Sequence, residues 1–394
     1  ERAVVDERLR LAMGLDVREI GVFKNVTDGF DKVDIDTNAY EKPLINVIKF
    51  GCEACPTKAY YTTDNCRKCL AHPCINVCPV NAISMGKDRT IIDKDKCVRC
   101  GRCHDACPYS AIVKYERPCA AACGVDAISS DEFGRAEIDH DKCVACGRCI
   151  AECPFGAISD KTQIFQLIKA IKSGKRVYGA IAPSYIGQFG ANVSAEQIIE
   201  AIKQLGFEDV LEVALGADLT TLHEAKEYLE RVPEEIPFMG TSCCFSWTLM
   251  IRNEFPEFFE QVSDSGSPMR YTANHIKAKD PDAVVVFIGP CTSKKLEAID
   301  TKVKSDVDFV ITFEELMGMF VAKNIEPSEI KVEKVGDDGS ALGRGYPIAG
   351  GVAESVKVVA EKLAPEKDIH IQGAHTLAEC KKMLKIAKAG KLNG

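Results

Sequence analysis

The feature that most constrains this chain is a cysteine pattern, C-x2-C-x2-C-x3-C-P, which occurs twice in full. The two runs are CVRCGRCHDACP, with Cys97, Cys100, Cys103 and Cys107, and CVACGRCIAECP, with Cys143, Cys146, Cys149 and Cys153. In such runs three thiolates bind one [4Fe-4S] cubane and the fourth reaches a second cubane, so the runs normally work in pairs. A third run, CRKCLAHPCINVCP, has the same form with a two-residue insertion and contributes Cys66, Cys69, Cys74 and Cys78.

Pairing the runs predicts four cubanes. One cluster is expected on Cys66, Cys69, Cys74 and Cys107, and a second on Cys97, Cys100, Cys103 and Cys78. The last run lacks a complete partner, but RPCAAACGVDAI resembles half of one and GCEACP supplies a spare C-x2-C. We therefore expect a third cluster on Cys52, Cys55, Cys119 and Cys153, and a fourth on Cys143, Cys146, Cys149 and Cys123. Zinc also accepts C-x2-C pairs and stays the alternative, chiefly for Cys52 and Cys55.

Composition narrows the class of protein. Sixteen of the twenty cysteines lie between Cys52 and Cys153, with metal-ligand spacing that disulfides explain poorly. A net charge of -8 argues against a nucleic-acid partner, and no apolar run is long enough for a membrane span. The chain starts without Met or a signal region, which predicts a cytoplasmic location and a chain that begins mid-protein. Four clusters in one module imply the transfer of single electrons.

Beyond Cys153 the pattern alternates between helical and apolar runs. Helices are predicted at 162–174, 194–206, 220–232 and about 246–259, and strands at 176–184, 209–217, 237–244 and 283–291. This alternation predicts a doubly wound α/β domain with a parallel sheet. The predicted domains are an N-terminal helical or linker segment (1–45), an α+β ferredoxin-like domain with four clusters (46–160) and an α/β domain (161–394).

In such sheets ligands bind beyond the carboxyl ends of the strands. Four short segments fall there in the predicted fold: Ala182-Pro183-Ser184, Gly216-Ala217, Cys243-Cys244 and Pro290-Cys291. A cysteine in such a place is often a small buried hydrophobe. Three cysteines beside Lys294 and Lys295, behind an electron-transfer module, favour a metallocofactor instead.

The segments TSCCFSW, GPCTSKK and APS resemble the first two cysteine motifs and the cofactor-contacting loop of the [FeFe]-hydrogenases. The order of the front cysteines and ALGADLTT are most similar to the monomeric, ferredoxin-rich group B type, from about residue 45 onward. The resemblance implies a two-lobed α/β catalytic domain with parallel sheets and an H-cluster, which is a cubane bridged to a diiron site carrying CO, cyanide and an azadithiolate. It also implies H2 and protons as substrates, a ferredoxin-type electron partner and hydrogenase maturation proteins.

The resemblance also implies individual roles. Cys244 and Cys291 would bind the cubane, and Cys243 would keep a free thiol that passes protons. Lys294 would donate to a cyanide, and the diiron site would be lined by Ala182, Pro183 and Ser184. The proton relay would consist of Glu224, Glu227, Arg231 and Ser263. From the helix alone, Glu227 and Arg231 form an ordinary solvated i,i+4 pair, and this alternative stays open at that level.

Several positions depart from the family pattern. Phe245 stands where a Pro is familiar, Gly289 where a Met is common, and Met269 where a Gln is common. The third motif, C-x3-C, is not seen before Gly394. We expect Cys380 to be a core residue, because it shares a helical face with Leu377 and Leu384. The chain is therefore expected to be a fragment that holds four ferredoxin-type clusters without a working H-cluster and has a poorly ordered pocket floor.

Three functions follow from these patterns. The first is a hydrogenase. The second is a Nar1-like iron–sulfur protein that holds only cubanes and serves cluster assembly. The third is an electron-transfer polyferredoxin or an H2 sensor. GPCTSKK and the free thiol of Cys243 favour the first, because a protein with cubanes alone does not need them.

Overall fold

The computed structural model describes residues 1–22, 24–32, 42–332 and 339–390. Of the predicted N-terminal segment 1–45, residues 23 and 33–41 lie outside this description. The strands are β1 Ile45–Val47, β2 Ala59–Thr62, β3 Ile83–Met85, β4 Thr90–Ile92, β5 Ile112–Tyr115, β6 Ile128–Ser130, β7 Ala136–Ile138, β8 Ile158–Asp160, β9 Val177–Ile181, β10 Asp209–Glu212, β11 Val284–Ile288 and β12 Phe309–Ile311.

The helices lie mostly in the second half of the chain. They are α1 Arg2–Ala12, α2 Pro73–Asn76, α3 Arg102–Asp105, α4 Pro118–Ala121, α5 Arg148–Glu152, α6 Ile164–Lys172, α7 Ala195–Gln204, α8 Ala214–Arg231, α9 Phe245–Glu254, α10 Pro268–Lys279, α11 Ser293–Ile299, α12 Phe313–Lys323, α13 Ala341–Gly345, α14 Gly351–Leu363 and α15 Leu377–Lys388. Within the described residues, no helix combines the length and the apolar character that crossing a bilayer requires.

The front of the chain is built from two-stranded antiparallel sheets joined by cysteine-bearing loops. The pairs are β2 with β5, β3 with β4, β6 with β7, and β1 with β8. The short helices α2 to α5 each begin just before a cysteine of these loops. Gly101 and Gly147 start α3 and α5 with φ of 86° and 76°, a conformation that glycine adopts without strain. This α+β arrangement is the ferredoxin-like module that the sequence predicts.

The back of the chain contains the predicted parallel sheet, with strand order β10-β9-β11-β12. Strands β9, β11 and β12 are largely apolar and buried, as expected when helices cover a parallel sheet. Helix α7 begins at the predicted place because Ser194 and Gln197 form a reciprocal capping box. The mixed α/β fold class is therefore confirmed.

Two predicted strands differ in the structure. The strand expected at 209–217 ends at Glu212, and the following residues form the first turns of α8, a helix of 18 residues. Gly216 is needed there because a Cβ would lie 2.1 Å from the Pro268 carbonyl oxygen of α10. The strand expected at 237–244 is absent from the described residues, where only a single bridge joins Gly240 to Val262.

The predicted helix over 246–259 is divided in two. Helix α9 ends at Glu254, and a 3-10 segment, Pro256–Gln261, continues the chain. Pro256 cannot donate the hydrogen bond that would extend the α-helix, so the ladder stops before it. The division places Ser263 two residues after the 3-10 segment, opposite α8.

Candidate functional site

The sixteen front cysteines come together in four groups. Three cavities are each lined by four cysteines: one by Cys66, Cys69, Cys74 and Cys107, one by Cys78, Cys97, Cys100 and Cys103, and one by Cys52, Cys55, Cys119 and Cys153. In the fourth group the thiols act electrostatically on one another, and its members are Cys123, Cys143, Cys146 and Cys149. The groups have the membership predicted from the spacing. Binding of four cubanes there stays a prediction.

The last cysteine of three of the runs makes the same hydrogen bond. A backbone N–H four residues further along donates to the sulfur at 3.2 to 3.3 Å, and the pairs are Ala82 to Cys78, Ala111 to Cys107 and Ala127 to Cys123. Donors of this kind stabilise thiolate charge and tune a bound cluster. Cys123 therefore has the environment of a fourth cysteine although its own run is incomplete.

The paired cysteines lie at the start of α9. Cys244 is the N-cap residue of this helix and is exposed, whereas Cys243 is partly buried. Burial raises the pKa of the Cys243 thiol, and the charge of Glu224 raises it further. Cys291 follows β11, and burial likewise raises its pKa, with the charge of Cys244 adding to the effect. The thiols of Cys244 and Cys291 thus interact, as two ligands of one group must.

Cys380 lies on α15, as one of the partly buried residues that pack on a cluster containing Leu384. Burial raises the pKa of its thiol to about 11, with a second contribution from the charge of Cys244. The apolar packing agrees with the predicted core role. Because the charge of Cys244 acts on Cys380, this side of α15 lies near the paired cysteines.

Lys294 lies beside Cys243. Its Nζ donates to the Cys243 carbonyl at 2.9 Å and to Glu297 Oε2 at 2.6 Å. Burial opposes the charge of Lys294, but the Glu297 carboxylate outweighs it and raises the lysine pKa. Glu297 is itself buried and accepts a hydrogen bond from Ser267. The pair leaves one ammonium hydrogen for a ligand anion, and the sequence analysis missed Glu297 although it lies three residues from Lys294.

Three of the four predicted relay residues are in contact in the structure, and the fourth, Glu224, lies one helical turn away. Ser263 Oγ donates to Glu227 Oε2 at 2.5 Å, and Arg231 Nη1 lies 2.5 Å from Glu227 Oε1. Glu224 lies one helical turn before Glu227 and is fully buried. The backbone N–H and the hydroxyl of Ser242 donate to Glu224 Oε1 at 2.7 and 2.9 Å. Ser242, which the sequence analysis also missed, therefore joins Glu224 to the segment that carries Cys243.

Glu224 is electrostatically unusual. Burial raises its pKa to about 7, although the hydrogen bonds from Ser242 lower it. Its second carboxylate oxygen has no hydrogen-bond partner among the described residues. A buried carboxyl of this kind is suited to gain and lose a proton near neutral pH.

The loop at Ala182-Pro183-Ser184 follows β9 and lies beside the end of β11. The backbone N–H of Ala182 donates to the Ile288 carbonyl at 2.8 Å. A Cβ at Gly289 would lie 2.7 Å from the Phe287 ring and 3.1 Å from the Ala182 Cβ. The Phe287 ring therefore fills the space that a larger residue at 289 would need, which explains this departure from the family pattern. Met269 is fully buried in the same core.

The fourth cysteine group contacts the paired-cysteine region directly. Thr292 Oγ1 donates to the Ala145 carbonyl at 2.6 Å, and both Ser293 Oγ and Ser246 Oγ donate to the Val144 carbonyl. The charge of Cys291 raises the pKa of Cys146, after the larger effect of burial. The loops of the front module and of the back domain thus meet at their cysteines.

The residues at this site supply part of the ligand set of a combined cubane and diiron group. Two interacting thiols, Cys244 and Cys291, are available as ligands. A cation, Lys294, lies nearby for a negatively charged ligand, and a further thiol, Cys243, adjoins a buried carboxylate with a free oxygen. A site for cubanes alone has no use for the last two features.

Comparison with known proteins agrees with this chemistry. The family model for the iron only hydrogenase large subunit, C-terminal domain, matches residues 175–394. Models for the LdpA Fe-S cluster-binding domain and for a 4Fe-4S binding domain match residues 113–164 and 90–113.

Individual relatives cover parts of the chain. Iron hydrogenase 1 of Clostridium pasteurianum is 33% identical over 71% of this chain and 52% of its own length. Cytosolic Fe-S cluster assembly factor NAR1 of Meyerozyma guilliermondii is 27% identical over 39% of this chain and 33% of its own length. A solved variant of [FeFe]-hydrogenase HydA1 from Chlamydomonas reinhardtii is 24% identical, with a TM-score of 0.45 over 55% of this chain and 61% of that one. The chain thus spans about half the length of the hydrogenase relative.

Proposed function

The chain belongs to the iron-only hydrogenase family, and from that premise we propose that the full-length protein catalyses the reversible oxidation of H2 to protons and electrons. The electrons pass through four [4Fe-4S] clusters to a ferredoxin-type partner, after hydrogenase maturation proteins have supplied the H-cluster. We keep the cytoplasm as the predicted location and the three predicted domains as the working division of the chain.

One observation carries the proposal: Ser242, the neighbour of the Cys243 thiol, donates twice to the fully buried carboxylate of Glu224, whose pKa burial raises to about 7. When bound, the H-cluster supplies the iron centre at which H2 is formed or split. Cys244 and Cys291 would hold its cubane. Lys294, oriented by Glu297, would donate to a cyanide ligand, where a compact cation suits a small anion.

The protein's own part in the chemistry is to move protons. Cys243 takes up or delivers the proton at the buried end, and Glu224 exchanges it with the thiol. Ser263 and Glu227 form the next step through their hydrogen bond of 2.5 Å. Arg231 holds the Glu227 carboxylate in position. Ser263 contacts Glu227, Glu224 lies one helical turn before Glu227, and a bridging water would complete the steps that the side chains do not span.

Electrons follow the cysteine groups. The contacts of Thr292 and Ser293 with Val144 and Ala145 place the fourth group against Cys291. A cubane changes its charge by one electron, so adjacent cubanes pass electrons singly.

A Nar1-like role in cluster assembly is the second candidate, supported by the partial match to NAR1.

Infrared spectroscopy distinguishes the two roles. The full product of the gene, produced together with maturation proteins, is expected to show CO and cyanide bands in wild type and in Cys243→Ala. Cys243→Ala should lose hydrogen turnover by about 10²-fold or more, because it removes a proton carrier. Cys244→Ala should lose the bands themselves. Absence of the bands from maturated wild type would show that the protein holds only cubanes.

A further inference from the structure

The relay needs an acceptor at its solvent end. Arg231 lies against Glu227, but a guanidinium keeps its proton at every pH that a folded protein experiences. Arg231 therefore fixes the Glu227 carboxylate without accepting the proton that Glu227 releases. A group that changes its charge near neutral pH must lie further out.

We propose that His223, paired with Asp264, is the solvent-side proton acceptor of this relay, an inference that rests on the proposed hydrogenase function. His223 lies on α8 one turn before Glu227, on the same face of the helix. A ring nitrogen of His223 and carboxylate oxygens of Glu227 and Asp264 all lie within 4.8 Å of one another. One bridging water spans such a distance.

Exposure rises steadily from Glu227 outward. The side chain of Glu227 is 8% exposed, that of His223 is 46% exposed and that of Asp264 is 78% exposed. All three line an open cleft of about 1080 Å³, together with Ser263 and Arg231. A proton that leaves Ser263 and Glu227 thus meets the imidazole before it reaches bulk water.

The imidazole is held from both sides. His223 Nε2 lies 3.0 Å from Asp264 Oδ1, and the Tyr271 hydroxyl lies 3.1 Å from His223 Nδ1. The Asp264 carboxylate only accepts hydrogen bonds, so Nε2 carries the hydrogen of the neutral imidazole. Nδ1 accepts the proton that leaves Glu227 through a bridging water, and Nε2 then releases its own proton to Asp264 and on to water. The carboxylate and the neutral imidazole are regenerated, and no electrons are exchanged. Imidazole is the side chain best suited to this exchange near neutral pH.

Other charged side chains surround His223. Glu224 on the same helix acts on it electrostatically, and Lys226 of α8 and Arg270 of α10 line the same cleft. A divalent cation held by His223, Glu227 and Asp264 is disfavoured, because the Arg231 guanidinium already lies against Glu227 and repels a second cation. The geometry thus points to proton transfer.

Turnover of the maturated protein tests the role directly. His223→Gln should lower hydrogen turnover by about tenfold or more and change its pH profile, while the CO and cyanide bands stay as in wild type. In His223→Ala, added imidazole should restore turnover, because the site is open to solvent. The matched control is His370→Gln, another exposed histidine paired with an aspartate, Asp368, at 3.3 Å. Equal turnover and pH profile in His223→Gln and His370→Gln would overturn the inference.

A second measurement does not depend on hydrogen turnover. In protein with isotope-labelled histidine and loaded iron–sulfur clusters, NMR follows the protonation of His223 against pH. Glu227→Gln should lower the midpoint of that titration by about half a pH unit or more, because it removes a nearby negative charge. The midpoint of His370 should not move. An unchanged His223 midpoint would overturn the inference, whereas a shifted midpoint with no hydrogen turnover in wild type would count against the proposed function alone.

Discussion

Glu224 shows how a single buried side chain acquires a property that its residue type lacks. Its carboxylate is fully buried, so water cannot stabilise the charge, and only Ser242 donates to one of its oxygens. Burial therefore dominates and raises the pKa to about 7. A carboxyl with a pKa near 7 transfers protons efficiently at neutral pH. When it is ionised, however, its buried charge reduces the stability of the fold.

Glu224→Gln should reveal that cost as a pH-dependent gain in stability. The unfolded carboxyl has a pKa of 4.5 and the folded one of about 7, so the folded protein binds more protons between these values. The contribution of Glu224 to stability is therefore fully present below about pH 4.5 and is lost, by roughly 3 kcal/mol, as the pH rises through 7. Thermal unfolding should give the variant a Tm advantage over wild type that is larger at pH 8 than at pH 5.

The matched control for this experiment is Glu230→Gln, an exposed glutamate on the same helix. Its Tm difference from wild type should not depend on pH in this range. An equal difference at both pH values in Glu224→Gln would show that the buried carboxyl does not titrate as described.

At the scale of elements, the front module repeats one device. A residue in the left-handed conformation precedes a short helix, and this helix carries a cysteine. The last cysteine of the run follows the helix, and its sulfur accepts a hydrogen bond from a backbone N–H. The third group is the exception, since it takes Cys52 and Cys55 from a segment well before Cys119. There Ala136 supplies the donor, with its backbone N–H 3.3 Å from the Cys52 sulfur.

Substitution of Cys52 and Cys55 by Ser should therefore remove one cluster. Iron analysis is expected to show a loss of about four iron atoms per chain, with the other three clusters intact by EPR spectroscopy. The control is Cys380→Ser, which changes a cysteine outside the four groups and should leave the iron content unchanged. Unchanged iron in the double variant, with zinc lost instead, would establish the zinc alternative.

The sequence predicts those elements whose causes are local. Cysteine spacing gave the four groups, and the capping box at Ser194 gave the start of α7. The strand expected at 237–244 failed because pairing depends on a distant partner, and Val262 provides only one bridge. The start of α8 was missed because Gly216 is selected by the approach of α10, a contact between helices that no local pattern shows.

The site follows the same rule. Motif resemblance gave the relay residues, which the structure brings together. Glu297, Ser242 and His223 were missed because their importance lies in pairs formed through space, with Lys294, Glu224 and Asp264. Their roles become visible only once the helices and loops are assembled.

At the scale of the whole molecule, the front module and the back domain are joined by a buried cation. Lys295 is fully buried on α11, and its Nζ donates to Asp160 at 2.7 Å, to the Lys161 carbonyl at 3.0 Å and to Glu315 at 2.6 Å. Asp160 ends β8 of the front module, and Glu315 lies on α12 of the back domain. Burial opposes the charge of Lys295, but the two carboxylates outweigh it and raise its pKa.

Lys295→Met should loosen this junction. The substitution leaves two largely buried carboxylates without their cation, which typically costs about 3–5 kcal/mol. The expected result in calorimetry is a lower Tm, and separation of one unfolding transition into two as the halves lose their connection. Electron transfer from the front clusters to the back domain should slow in the same variant. The reason is that the distance between the fourth cysteine group and Cys291 is no longer fixed.

A compensated variant separates charge from packing. Adding Asp160→Asn and Glu315→Gln to Lys295→Met removes the unpaired charges while it keeps the shapes of the side chains, so most of the lost Tm should return. If the triple variant unfolds as early as Lys295→Met, the loss comes from the packing of α11 and not from the ion pairs. If Lys295→Met unfolds in one transition at the wild-type Tm, the buried cation does not hold the two halves together, and the contacts of Thr292 and Ser293 with Val144 and Ala145 are sufficient to join them.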